Sequence, residues 1–147
     1  MRYSKFEMIM RQSKVYESRY EYKVTCDDDV YRFAQKILEA DIMPEEHFWV
    51  ISVASNGGIL GFCEASKGCL DQSIVSPREV FRTAIMQNAG SILVVHNHPS
   101  GSLAPSGDDI TATQRLKDAG DILGIKLLDH VIVSLEGYFS FRSNGYV

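Results

Sequence analysis

The chain has 147 residues, 45% of them hydrophobic, a length that suits one domain with a full core and falls short of two. A formal net charge of −4 offers no global attraction to phosphate, so any contact with nucleic acid has to be local. No apolar run approaches a membrane span or the core of a signal peptide, and 3 cysteines (Cys26, Cys63, Cys69) without a C-x-x-C pair argue against a disulfide framework or a cysteine zinc knuckle, so we expect a cytoplasmic protein with buried thiols.

Residues 1–14 read as an N-terminal extension and 15–147 as the domain. From Tyr16 to Val24, tyrosines and small residues alternate with Glu17, Arg19, Glu21 and Lys23, which predicts a half-buried strand. Thr25 to Asp29 supplies helix-capping oxygens, and Val30, Phe33, Ala34, Ile37 and Leu38 then share one helical face, ending before Pro44. His47 to Ala54 is apolar on both faces, stops at Asn56-Gly57-Gly58 and resumes from Ile59 to Cys63, as in a hairpin at the centre of a sheet.

Ser76-Pro77-Arg78-Glu79 has the form of a capping box with proline at the first helical position, and Val80, Ile85 and neighbouring alanines carry a helix to Gly90. Ser91 to Val95 is too short and too uniformly apolar for a helix and predicts a buried strand leading to His96. Ala112, Leu116, Ala119 and Leu123 mark a third helix with Gly124 at its C-terminal cap. Strands at Leu127–Ser134 and Tyr138–Arg142 flank a turn at Glu136-Gly137. With no repeat, linker or low-complexity segment, the pattern is that of a mixed α/β domain, a central sheet with helices packed against it.

The stretch VVHNHPSGSLAPSGDDI, Val94 to Ile110, concentrates the chemistry. On a strand, His96 and His98 point to one side and Asn97 to the other. Pro99, Ser100-Gly101 and Pro105 end the strand and turn the chain back, so the imidazoles face a loop. Ser106 and Asp109 are spaced as N-cap and third helical residue; alone, that spacing means a cap, and a lone H-x-H is usually incidental. Together they bring two imidazoles and a carboxylate to one place, the protein ligands of a catalytic zinc, and they account for polar side chains at the end of so apolar a strand. Helical phase does not choose between Asp108 and Asp109, whereas spacing from Ser106 favours Asp109. Glu46, at the head of the EHFWVISVA strand and on the face of Phe48 and Val50, is the candidate base for hydrolysis.

At these residues the chain resembles the JAB/MPN metalloprotease superfamily, whose JAMM motif combines a glutamate, H-x-H-P and S-x-x-D; here these are Glu46, His96 to Pro99, and Ser106 to Asp109. It is more closely similar to the RadC family, through EEHFWV, SPREVFRTAI, NAGSILVVHNHPSG, PSGDDI and LLDHVIV, over roughly Val24 to the C-terminus. The resemblance implies a JAB/MPN-type (cytidine deaminase-like) fold, a curved central sheet flanked by helices. It implies Zn²⁺ held by His96, His98 and Asp109, with Glu46 handling the proton of the attacking water and Ser106 supporting the oxyanion. The reaction implied is cleavage of an amide or isopeptide bond in a peptide or protein substrate. Longer RadC relatives carry a helix-hairpin-helix region ahead of this domain, where this chain has a short extension, so the family's link to DNA repair is here an inherited label.

Competing readings are weaker. The tripeptide H-N-H is not the dispersed residue set of HNH nucleases. A non-haem iron triad would use the same ligand types, but nothing suggests an oxidising cosubstrate, and a nearby glutamate suits hydrolysis. GSLAPSG lacks the lysine of a P-loop and runs into two aspartates. His130 reads as a core or sheet-edge histidine bonded through Asp129, His47 as facing away from the site, Arg78 and Glu79 as a solvated arginine and a cap, and Trp49 and the first-strand tyrosines as core. The rival class is a catalytically silent JAB-like binding module or nucleic-acid accessory protein. For DNA association it would use Arg2, Lys5, Arg11, Lys14, Arg19 and Lys23, interleaved with aromatics and diluted by Glu7, Glu17 and Glu21. Strand edges and tyrosine-rich faces could also support a homodimer.

Overall fold

The computed structural model describes residues 23–68 and 75–147, together with Ser4 and Arg11. The strand expected from Tyr16 lies outside the described residues except at its end, where Lys23 bridges Gly58. The rest of the N-terminal extension and Cys69 lie outside them too.

Five strands form one mixed sheet: β1 (His47–Val53), β2 (Ile59–Lys67), β3 (Ser91–Asn97), β4 (Lys126–Ser134) and β5 (Gly137–Ser140), in the order β2-β1-β3-β4-β5. Neighbours are antiparallel except β3 and β4, which run parallel. Parallel strands need a crossover, and α3 (Gly107–Leu123) supplies it, so β3, α3 and β4 form one βαβ unit. β1 and β3 are buried at every position, as runs apolar on both faces must be.

Among the described residues β1 is internal and β2 is an outer strand. Its apolar start, Ile59 to Cys63, resembles an internal strand, but it continues through Glu64 to Lys67 and is only half-buried, which suits one wet edge.

Each face of the sheet is covered. Trp49, Ile51, Val53, Leu93, Val95, Val131 and Val133 pack against Val30, Phe33 and Ala34 of α1 (Asp27–Phe33) and the π-helical turn that continues it (Ala34–Leu38). On the other face Phe48, Val50, Ile92, Val94 and Leu127 meet Val80, Phe81 and Ala84 of α2 (Pro77–Met86) and Leu116 of α3. Side chains of this size contribute roughly 1.5–3 kcal/mol each when buried.

The helix starts differ in how they are capped. Asp29 accepts hydrogen bonds from the Thr25 N–H (2.9 Å) and hydroxyl (2.6 Å) and from the Cys26 N–H (3.3 Å), which closes the start of α1. At α2, Ser76 is the N-cap and Pro77 the first helical residue, but the expected box is not formed: the Ser76 side chain caps nothing and Glu79 pairs with Arg82 at 2.6 Å. An ion pair one turn on competes for the carboxylate that the box requires. The thiols also depart from expectation. Cys26, as the N-cap of α1, is exposed, and Cys63, on the outer strand, is only half-buried. No helix among the described residues is long and apolar enough to cross a membrane.

Candidate metal centre

β3 carries His96 in its last turn of pleat and releases His98 one residue past its end. The His98 N–H still bonds the Val133 carbonyl at 2.9 Å, so strand alternation persists through it. Both rings thus lie on one side, with centroids 4.6 Å apart and planes at 85°. The loop then turns sharply, Gly101 N–H donating to the His98 carbonyl at 3.0 Å, and returns to α3. There the capping box is complete: the Ser106 hydroxyl oxygen accepts from the Asp109 N–H at 3.1 Å, and the Asp109 carboxylate accepts from the Ser106 N–H at 2.7 Å.

The cap aims the carboxylate inward. Asp109 Oδ1 lies 3.3 Å from His96 Nδ1, and Oδ2 lies 3.5 Å from His98 Nε2. Asp109 is 3% exposed while Asp108 is exposed, which resolves the choice that helical phase left open. One ligand atom from each of His96, His98 and Asp109 lies within 4.8 Å of the others, and these three can hold a metal ion. Among the described residues it is the single such group.

The polar inventory fits a metal. His96 is 1% exposed, and neither ring nitrogen has a hydrogen-bond partner, although a buried unpaired polar group costs about 1–3 kcal/mol. A cation between the side chains would take up the lone pair of one ring nitrogen. Burial pushes His96 down to about 4, so the ring is neutral and its lone pair available at pH 7. The His98 Nδ1–H donates to the Ser102 carbonyl at 2.7 Å, which fixes the tautomer and turns the Nε2 lone pair toward Asp109. Asp109 raises the pKa of His98 against the opposing effect of burial. Burial also acts to raise Asp109, but His98, His96 and the Ser106 N–H outweigh it and hold the carboxyl below its usual range.

Behind the ligands is a pair the sequence reading missed. The Thr113 hydroxyl donates to the Asp109 carbonyl at 2.6 Å and accepts from the His130 Nδ1–H at 2.6 Å. His130 is fully buried, stacked on Phe141 with centroids 4.4 Å apart, and burial pushes its pKa down to about 3. Its expected partner, Asp129, instead accepts from the Ser140 hydroxyl (2.6 Å) and the Arg142 N–H (2.9 Å). Adjacent strand residues point to opposite faces, so Asp129 cannot serve the ring beside it.

Glu46 immediately precedes β1. The register Phe48↔His96, carried two residues further, sets Glu46 opposite His98, and its charge contributes to raising the His98 pKa. His47 faces the other way, stacked on Trp49 at 5.0 Å, with Nδ1 2.8 Å from Glu64. Ser106 is exposed beside the cluster. The structure therefore gathers His96, His98 and Asp109, brings Glu46 close enough for its charge to act on His98, and leaves His47 outside. Thr113 could have been suspected, being one turn after Asp109 on the same helix face; no local signal marks the Ser102 carbonyl.

A family model for the RadC-like JAB domain matches residues 24–146. The chain is 46% identical over 125 residues to a UPF0758 protein of Thermotoga maritima, an alignment covering 84% of this chain and 54% of the relative. A UPF0758 protein of Staphylococcus epidermidis is 48% identical over 104 residues, covering 71% and 46% respectively. A third, from Caldanaerobacter subterraneus subsp. tengcongensis, is 43% identical over 125 residues, covering 85% and 53%. The chain spans about half the length of the curated relatives it matches, and none of these names states a reaction.

Proposed function

Because the chain belongs to the RadC-like JAB domain family, we propose that it is a zinc-dependent hydrolase of JAMM type, cleaving an amide or isopeptide bond in a peptide or protein with water. The observation that carries this reading is the convergence of Asp109 and His98 on a buried His96 whose ring nitrogens have no other partner. Two imidazoles and one carboxylate are the three-ligand set of catalytic zinc sites, distinct from the four-ligand set of closed structural ones. When bound by His96, His98 and Asp109, zinc supplies Lewis acidity to the scissile carbonyl and to water.

The chain's own residues do the rest. Glu46, opposite His98 and outside the ligand set, takes a proton from the attacking water and returns it to the leaving amine. The Ser106 oxygen already accepts from the Asp109 N–H, so its hydroxyl proton points elsewhere and can donate to the oxyanion that develops on the carbonyl. Ser102 keeps His98 in the one tautomer that offers Nε2.

Two measurements test the proposal. Elemental analysis of the purified protein should find near one zinc per chain, lost in the His96→Ala, His98→Ala double variant. Amide and isopeptide libraries should then yield a substrate whose turnover falls about 10²–10⁴-fold in Glu46→Gln. A folded, zinc-free wild type would sink the proposal. Equal turnover by Glu46→Gln would remove Glu46 from the mechanism, and a zinc-loaded protein that cleaves nothing would leave a silent binding module.

A further inference from the structure

We propose that Asn97, the residue between the two histidines, positions the general base: its carboxamide clamps the peptide units on both sides of Glu46 to the strand that carries the metal ligands. This rests on the reading of Glu46 given above.

Asn97 points to the sheet face opposite His96 and His98, so it adds nothing to the ligand set. It is 1% exposed, and a buried carboxamide needs partners. Its Oδ1 accepts from the His47 N–H at 2.6 Å. Its Nδ2 donates to the Glu45 carbonyl at 2.8 Å and toward the Met43 carbonyl at 3.4 Å. The chemistry allows one orientation of the amide, since an N–H must meet the oxygen and carbonyls must meet the nitrogen.

The carbonyl before Glu46 and the N–H after it are therefore held by one side chain. In a parallel bridge a residue brackets its neighbour in the same way, with its own N–H and C=O. Main-chain pairing between β1 and β3 runs as far as Phe48↔His96; past that point the Asn97 side chain takes over from the ladder. From the other side, the Gly68 N–H donates to the Glu46 carbonyl at 2.8 Å. With both flanking peptide units fixed, the backbone from which the Glu46 carboxylate projects is fixed too, and a base misplaced by about 1 Å can cost about 10²-fold in rate. Aspartate would keep the acceptor but set an anion against two carbonyl oxygens, and glutamine is one methylene too long.

The test uses the full chain as wild type, Asn97→Ala and Asn97→Asp, loaded with Co²⁺ as the probe and labelled with ¹³C at glutamate carboxyls. The Glu46 signal is the one that Glu46→Gln removes. We expect Co²⁺ to bind every variant with affinity within about tenfold of wild type, less than the loss of a partner that orients a ligand would cost. The paramagnetic relaxation of the Glu46 carboxyl carbon should fall several-fold in Asn97→Ala, because it depends steeply on distance from the ion. Exchange of the His47 amide should quicken by about tenfold or more in Asn97→Ala and less in Asn97→Asp, which keeps the acceptor, while Ile51 and Val94 stay protected in both.

On an amide that the wild type cleaves, Asn97→Ala should lower kcat about 10²-fold with KM unchanged and add nothing to Glu46→Gln, since both act through one group. Unchanged relaxation at Glu46, loss of Co²⁺ from the Asn97 variants, or additive effects with Glu46→Gln would each overturn the proposal. Should Asn97→Ala not fold, Asn97→Asp carries the same relaxation measurement. If the wild type cleaves nothing, the proposed function fails while cobalt relaxation still decides whether Asn97 positions Glu46.

Discussion

Asp109 serves both the helix start and the candidate metal, and a single substitution separates the two roles. Asparagine at 109 can still accept from the Ser106 N–H but loses the charge. The 2.7 Å bond to a carboxylate becomes a neutral one, a difference of about 1 kcal/mol, and the loss of an anion at the N-terminus of α3 adds about 0.3–1 kcal/mol. Without metal, Asp109→Asn should therefore be about 1–2 kcal/mol less stable than wild type. Ligand binding to the native state adds about 4 kcal/mol when free zinc is a thousandfold above its dissociation constant. Asp109→Asn forfeits most of that addition, so the gap between the two proteins should widen to about 5 kcal/mol. Urea unfolding of both proteins, with chelator and with excess zinc, measures the two gaps. A gap that stays the same width in zinc would show that the carboxylate is only a cap, and the metal reading would fall with it.

Two further outcomes follow from the packing and from buried charge. Gly120→Ala places a methyl 2.5 Å from the Ile125 carbonyl oxygen and 3.4 Å from the Leu127 nitrogen, both backbone atoms, with Phe81 at 3.3 Å. It should destabilise by about 1–3 kcal/mol despite alanine's better helix propensity, and a thermal midpoint at or above wild type would refute this. In the metal-free protein, burial holds His96 and His130 at about 4 and about 3, below the ordinary histidine value, so between that value and about pH 4 the unfolded chain binds more protons. Stability should fall across this window by up to about 1.4 kcal/mol per pH unit for each ring. His98 has the opposite sign: its raised pKa contributes stability at low pH that is lost as pH rises through its folded value. Equal urea midpoints at pH 7 and pH 5 in chelator would contradict the buried neutral rings.

The parts legible in the sequence are those set by local periodicity. Two-residue alternation put His96 and His98 on one side and Asn97 on the other, and Ser106-x-x-Asp109 is a capping box in the structure. Properties set by tertiary neighbours were harder to read. Asp108 and Asp109 are equivalent by helical phase, and burial against the histidines separates them. Ile59 to Cys63 is apolar enough for an internal strand, yet among the described residues sheet order makes it an outer one. Glu79 could close a box with Ser76 but meets Arg82 instead. The link from Thr113 to His130 joins residues on different elements, so no spacing rule reveals it. Asp129 is not the partner of the His130 ring, and alternation along β4 already sends the two side chains to opposite faces. The role of Asn97 has no sequence signal, because its partners depend on the register between β1 and β3.

The βαβ unit from Ser91 to Ser134 contains His96, His98, Asp109, Thr113 and His130, whereas Glu46 arrives with the hairpin. The side chains that could hold a metal and the carboxylate proposed as the base are thus written on separate lengths of chain. If the proposed function holds, lesions should sort into two kinds, those that empty the protein of metal and those that leave it loaded but inert.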